Sequence, residues 1–521
     1  MHISAIRMIV AGILVAAVAE AGAPGARAGQ GPTASTRQET ALDHVVHLEK
    51  ALVTDVPEAP RWCDRLALKG RRIDVGGASL YVEEEGSGPA LVLINGGPGG
   101  THHYFHPWFS RAAKFSRVIY YDQRGCGLSD FKPGKAYSVE QAVDDLEAIR
   151  RALDASRWVV LGYSYGGFLA QLYALKYPEN TAGLVLMSAG PGFSTGHSPD
   201  GWNDFLSKEE KARLRAIPDE VAAWAKANAI PRERADQVLL YNLDLNGAWK
   251  SQHLLKPSPE RLAQMARYEW IHDADFNGIL NQSASRYDFQ GAFAGCPIPT
   301  IILEGKYDGT WSPDKAALLL ENHPGASMVV FEHASHPIYE EEPGRFFDVL
   351  GGFVRGLAAP APDALSAFKT AAAKRLAEVK APADEFLEAY GWGRESNVRL
   401  AKDYRPEWLA KVAEPTGFLK IAFALYDVER YAEALAIFEK MGEAIRVKGG
   451  GPYEAVALIW QGHMLDLLGR RSEAIARYEA AAAMNVEGTF SHSQFGMRYA
   501  PSAWAAERIK EPFKRIENQA R

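Results

Sequence analysis

Cysteine is scarce: Cys63, Cys126 and Cys296 are the only three in 521 residues. That rules out a disulfide-framed small fold, and none of the three stands in a metal-ligand pattern. One disulfide with a thiol left over is allowed by number, but three isolated, mostly buried thiols is the expectation. An excess of one charge is also missing. The chain carries 58 Lys and Arg against 64 Asp and Glu, a formal net charge of −6, which argues against a general nucleic-acid binder. Past the first twenty residues no apolar run approaches the roughly 20 residues that cross a bilayer. Neither a disordered nor a membrane composition is present: 47% of residues are hydrophobic and 23% charged, as in globular proteins. The length exceeds one ordinary core and implies two or more domains.

What is present begins as an export signal. Arg7 supplies a positive start, Met8–Ala19 a short apolar core, and Ala26-Arg27-Ala28 a cleavage pattern. Residues 1–28 are therefore expected to be a signal peptide, with the mature protein periplasmic or extracellular and no stable membrane span after cleavage. No cysteine lies near the cleavage pattern, so a lipid anchor has no support. Residues 29–70 read as a polar leader.

From residue 71 to 357 short apolar runs alternate with helical patterns. Ile73–Val75 and Leu80–Glu84 flank Gly76-Gly77, a hairpin signal. Leu91–Ile94, Val118–Tyr121, Trp158–Leu161, Leu184–Met187, Thr300–Leu303 and Met328–Phe331 are further strands, and Val139–Leu153 and Phe168–Tyr177 are helices between them. This pattern predicts an α/β fold with a mainly parallel sheet covered on both faces. The alternation breaks over 193–291, a helical, Trp-rich stretch expected to form a cap over the catalytic edge. Residues 358–382, opening with Ala358-Ala359-Pro360-Ala361-Pro362, read as a linker. Residues 383–521 read as an all-α region in which Arg430–Glu439 and Arg470–Glu479 match at an offset of 40. Paired alanines and aromatics there resemble tetratricopeptide repeats, whose usual period is about 34; the Gly449–Pro452 insertion accounts for the excess.

The chemistry gathers on Gly162-Tyr163-Ser164-Tyr165-Gly166. A strand enters this G-x-S-x-G and a helix leaves it, the pattern of a nucleophile elbow. A serine hydroxyl is a poor nucleophile without a base and an orienting carboxylate, which follow in the order Ser, Asp, His. Asp308, in the turn after Thr300–Leu303, is the expected acid, and Glu304 on the strand the structural carboxylate. Two histidines, His333 and His336, follow the next strand and compete for the base. The oxyanion requires two N–H donors, expected from Tyr165 and from Gly97 in the loop Asn95-Gly96-Gly97-Pro98-Gly99-Gly100.

Together these segments resemble the α/β-hydrolases, and within them the proline iminopeptidase group of serine peptidases, over about Ile73 to Gly356. Asn95–His102 is similar to that group's HGGPGGSH segment, and Tyr121–Ser129 contains its DQRGxGxS segment. Ser335-His336-Pro337 and Glu342-Pro343 keep the spacing of its GHSPxxEEP segment, which selects His336. The implied activity is release of an N-terminal residue, often proline, from short peptides. Asn95 stands where the group has histidine and Tyr165 where it often has tryptophan. Tyr268-Glu269-Trp270 resembles the group's Trp-Glu segment, so Glu269 is the expected partner of a substrate ammonium, with Asp273 and Asp275 as alternatives.

The sequence thus predicts an exported serine hydrolase of aminopeptidase type, with no cofactor and no metal. His102 and His106 stand four apart, but no carboxylate accompanies them at ligand spacing. An esterase or lactonase on small acyl substrates is the alternative within the fold. A scaffold that binds a protein partner through the C-terminal helices is the alternative of another class.

Overall fold

The computed structural model describes residues 46 and 48–515, except 67, 132–136, 193–205, 274–275, 285, 288, 310–312, 378–386, 388–389, 391–393, 413–414, 448–449, 451, 487–489, 492–497 and 500. The expected signal peptide, the first part of the leader and the start of the expected cap lie outside the described residues.

Eight strands build one sheet: β1 (Arg71–Asp74), β2 (Ser79–Gly86), β3 (Ala90–Ile94), β4 (Arg117–Tyr121), β5 (Trp158–Tyr163), β6 (Thr181–Met187), β7 (Thr300–Gly305) and β8 (Ser327–Phe331). Their spatial order is β1-β2-β4-β3-β5-β6-β7-β8. β1 and β2 form the antiparallel hairpin that Gly76-Gly77 foretold, both glycines at positive φ. β2 runs antiparallel to β4, and every pairing from β4 to β8 is parallel. The central strands β3, β5 and β7 are buried at every residue, as sheets with both faces covered require.

Side-chain alternation divides the core into two layers. Val92, Ile94, Val160, Leu184 and Ile302 face helices Val139–Ala152 and Tyr165–Lys176. Leu91, Leu93, Val159, Leu161 and Leu303 face Phe105, Phe109, Phe346 and Leu350 on the other side. Successive parallel strands end at one edge of the sheet, and the loops from β3, β5, β7 and β8 meet there.

Between β6 and β7 helices Lys208–Ala227 and Arg232–Leu245 pack around Leu214, Ile217, Val221, Leu239 and Leu243. A capping box of Ser207 and Glu210 starts the first of them. The leader packs on this cap through residues 52–56: Val56 lies in its core, and Asn242 exchanges hydrogen bonds of 2.9 and 2.8 Å with the Val53 backbone. Conversely, Phe276, Leu280 and Phe289, inside the expected cap bounds, pack into the sheet core.

The stretch expected as a linker also differs. Helix Pro362–Ala377 lies within it, and Phe368 and Ala372 are buried against the sheet domain. Apolar residues at its one inward face outweigh the flexibility that the Ala-Pro dipeptides imply. Beyond it, helices Pro415–Asp427, Tyr431–Val447, Pro452–Leu467, Arg471–Ala483 and Pro501–Lys510 pack in succession around a separate core. The two matching segments occupy equivalent places: Ala434 and Ala474 are fully buried, as are Phe438 and Tyr478, and Arg430–Glu433 and Arg470–Glu473 form the same ion pair. Among the described residues no helix is long and apolar enough to cross a membrane, and the three cysteines are free thiols.

Candidate active site

Ser164 caps helix Tyr165–Lys176 with φ +54° and ψ −120°, a conformation that L-residues avoid. Three glycines make it possible. A methyl on Gly162 would collide with the Gly166 carbonyl, one on Gly166 with the Ile94 carbonyl, and one on Gly167 with Ala189. The turn is fastened by Ser164 N–H to Met187 O and Gly167 N–H to Ser164 O, both 2.9 Å. Ser164 is half-buried at the sheet edge.

Asp308 and His336 reach each other from the loops after β7 and β8. His336 Nδ1 lies 2.7 Å from Asp308 Oδ2, with both residues buried. The two loops are zipped by Tyr307 N–H to Ala334 O (3.0 Å) and Ser335 Oγ to Tyr307 O (3.1 Å). The His336 ring packs on Tyr163, the residue before the elbow serine, at 5.0 Å between centroids. Its backbone is held on both sides, by N–H to Gln252 O at 3.0 Å and by Ser188 Oγ to His336 O at 2.7 Å. His333, its competitor in sequence, is exposed and bound through its N–H to Glu342. Glu304 is fully buried; desolvation and the adjacent Asp308 push its carboxyl well above the usual range.

The loop after β3 lies against the elbow: a methyl on Gly96 would stand 3.3 Å from Ser164 Cβ. Gly97 has φ +129°, which leaves that position to glycine. Asn95 closes the loop from behind, its Nδ2 donating to Gly100 O (3.3 Å) and Tyr121 O (3.1 Å). Asp122 of the DQRG segment accepts from the His102 and Leu128 N–H groups, 2.8 Å each, and Arg124 forms a two-pronged pair with Asp145. This signature therefore braces the loop rather than touching the nucleophile. The Tyr165 N–H opens the helix that leaves the elbow, where α-helices present donors outward.

Glu269 is buried beneath the cap and tied to the same loop by Thr101 N–H to Glu269 O, 3.1 Å. One of its oxygens pairs with Arg261; the other is buried without a hydrogen-bond partner. Arg261 also pairs with Glu340 at 2.7 Å. Burial, reinforced by Glu340 and opposed by Arg261, pushes Glu269 up to about 6. Burial likewise lifts nearby Asp244 to about 7 and holds His253 down at about 3, Arg261 and His336 adding to the latter. Asp273 is tied through its N–H to Gly125 O, and Asp275 lies outside the described residues. Arg261, Gln252 and Ser188 carry no sequence signal, and Glu340 falls at an unspecified position of the segment that marks His336.

The model of the α/β hydrolase fold family matches residues 89–343, from the start of β3 to just past His336. Proline iminopeptidase from Saccharolobus solfataricus is 30% identical over 310 residues, 56% of this chain and 95% of that protein. The chain belongs to the α/β-hydrolase family. A proline iminopeptidase from Lactobacillus helveticus is 29% identical over 304 residues, 54% of this α/β-hydrolase and 96% of the relative. Among solved structures, an esterase from Exiguobacterium antarcticum is 23% identical, with a TM-score of 0.43 and coverage of 55% of this chain and 100% of its own. As a member of the family the protein is a hydrolase, and the C-terminal helices lie outside the family match.

Proposed function

We propose that this hydrolase is a serine aminopeptidase of proline iminopeptidase type, releasing N-terminal residues from short peptides. The observation that carries the reading is the 2.7 Å contact of Asp308 with His336, whose ring packs on Tyr163, the residue before an elbow serine held at positive φ. Asp308 accepts the Nδ1 proton, which leaves Nε2 to act as base. Ser164 Oγ attacks the scissile carbonyl carbon while Nε2 takes its proton. The Gly97 and Tyr165 N–H groups stabilise the oxyanion. Collapse of the tetrahedral adduct returns the proton from His336 to the leaving amine. Water, deprotonated by the same imidazole, then hydrolyses the acyl-enzyme.

Glu269 supplies the charge that recognises the substrate ammonium. Between them Glu269 and Glu340 hold one guanidinium, so the ionised trio keeps a net charge of −1 for a cationic amino terminus. The same Arg261 is the observation that favours the second reading, an esterase or lactonase, because an ammonium must share Glu269 with it. Proline naphthylamide and a short nitrophenyl ester separate the two; a strong ester rate with no amide rate defeats the peptidase reading. Fluorophosphonate labelling that Ser164→Ala abolishes supports catalysis. A folded protein that never labels supports instead a scaffold for a partner of the C-terminal helices. Export follows from residues 1–28, and N-terminal sequencing of protein recovered outside the cytoplasm is expected to begin near Gly29.

A further inference from the structure

Behind the oxyanion loop stands a second cluster of ionisable side chains that the reaction above does not use. Cys63 comes from the leader turn Trp62–Leu66, Glu83 from β2, and His102, His103 and His106 from the turn after Gly100. All five are buried.

Their neighbours fix which nitrogens carry hydrogen. His102 Nδ1 lies 2.9 Å from Asp122 Oδ1, an acceptor, so it carries a hydrogen; against the opposing effect of burial, Asp122, with Cys63 and Glu83 adding, pushes the ring up to about 10, and Nε2 is the nitrogen that faces the cluster. Thr101 Oγ1 gives its hydrogen to Tyr268 O at 2.7 Å and so accepts from His103 Nδ1 at 3.1 Å. His103, held neutral by burial and by the neighbouring His102, then keeps a lone pair on Nε2. Both Nε2 atoms are buried with no hydrogen-bond partner. Buried polar groups in native proteins nearly always have one. Ligand atoms of Cys63, His102 and His103 lie within 4.8 Å of one another, and those of Glu83, His102 and His106 form a second such group that shares His102. Glu83 Oε2 holds His106 Nε2 at 3.0 Å, while Oε1 accepts from the Tyr81 hydroxyl at 2.6 Å and stands 3.9 Å from His102 Nε2.

We propose that Cys63 Sγ, His102 Nε2 and His103 Nε2 bind a divalent metal ion of the zinc class, with Glu83 Oε1 in the fourth position. A thiolate with two imidazoles selects a borderline-soft ion and rejects calcium or magnesium, which take oxygen ligands. In a tetrahedral site with bonds of about 2.0–2.3 Å the ligand atoms stand about 3.3–3.8 Å apart. Cys63, His102 and His103, now within 4.8 Å of one another, draw closer on binding, and Glu83 approaches from the His102 side. Each imidazole already has the oxygen partner on Nδ1 that metal-bound histidines use to set their orientation, Asp122 for one and Thr101 for the other. On binding, the Cys63 thiol and the His102 Nε2 each give up a proton to solvent, and the ion takes the thiolate and the freed lone pair. The ion is structural: it joins the leader to β2 and to the residues that directly follow the oxyanion glycines.

The test uses the full chain without a polyhistidine tag, stripped with chelator and titrated separately with Zn²⁺ and Co²⁺. One Zn²⁺ per chain is expected, with a raised melting temperature. The Co²⁺ form is expected to show the intense visible bands of four-coordination and a near-ultraviolet thiolate-to-cobalt charge-transfer band. Cys63→Ser removes that charge-transfer band, and His103→Gln weakens Zn²⁺ binding by about ten-fold or more. Circular dichroism checks that each variant folds; should His103→Gln fail to fold, the near-isosteric Cys63→Ser decides by its spectrum. A folded wild type that takes up no stoichiometric Zn²⁺ overturns the proposal. So does a bound Co²⁺ without the charge-transfer band, or one whose band survives in Cys63→Ser.

Discussion

Ser164 holds φ +54° because Gly162, Gly166 and Gly167 carry no side chains where strand and helix meet, and that conformation turns its hydroxyl out of the sheet edge. Ser164→Ala is expected to abolish fluorophosphonate labelling and lower kcat by roughly 10⁴–10⁶, and Asp308→Asn by about 10⁴, measured with the protein's best amide or ester substrate. Glu269 gives a pH signature. Its ordinary carboxylate value is raised to about 6, so acidification neutralises it in a range where a surface glutamate stays charged. The ratio of kcat/KM for a proline amide to that for an uncharged ester is expected to fall as pH drops through about 6. Titration of the base affects both substrates alike and cancels in the ratio. Glu269→Gln should give a low ratio with no pH dependence; an unchanged ratio would remove Glu269 from ammonium recognition. Ser164, Asp308 and Gly97 are proposed from sequence because their types and order follow what acyl transfer requires. Choosing His336 over His333 needed the motif spacing, and the fold supplies the physical reason: one imidazole turns inward onto Asp308, while the other is exposed. Arg261 was invisible, since an arginine in a polar helix looks like a solvated face until the helix is seen packed over the site.

At the scale of elements, the elbow is a joint between β5 and helix Tyr165–Lys176, and it closes only where backbone meets backbone. Gly162→Ala sets a methyl against the Gly166 carbonyl, so neither neighbour can yield without shifting the strand or the helix. It is expected to cost about 1–3 kcal/mol, read as a lower denaturant midpoint, and to abolish labelling even in the fraction that folds. Strand existence was legible from short apolar runs bounded by turn residues. Sheet order was not, because β2 and β4 pair across 30 or more intervening residues and periodicity carries no information about partners. Asn95 is similar. In sequence it is a departure from the family motif; in the fold its amide fastens the two ends of the oxyanion loop.

For the whole molecule, the boundary that matters for stability falls after helix Pro362–Ala377 rather than before it. A chain ending at Ala377 is expected to keep the melting behaviour and hydrolytic activity of the sheet domain. One ending at Ala359 loses Phe368 and Ala372 from its core and should be less stable by about 3–5 kcal/mol in chemical denaturation. Equal stability of the two truncations would show that this helix contributes nothing. Asp244 makes a further global prediction. Burial raises its folded-state value to about 7, above the unfolded value near 4, so the folded state holds a proton that the unfolded state has released. Its contribution is fully present below about pH 4 and is lost as pH rises towards about 7. Asp244→Asn is therefore expected to flatten the fall in stability across that window, measured by denaturant titration at several pH values.

By itself the sequence determined the elements and the chemistry. Apolar periodicity, glycine placement and the order Ser164, Asp308, His336 are local properties, written within a few residues of where they act. Tertiary structure decided what those elements touch. It brought the leader onto the cap, the supposed linker onto the sheet domain, Arg261 between two glutamates, and Cys63 beside histidines some forty residues away. Such contacts depend on which faces remain apolar after every other face has been covered, and on which buried charges must find partners. Neither is settled until the whole chain has folded.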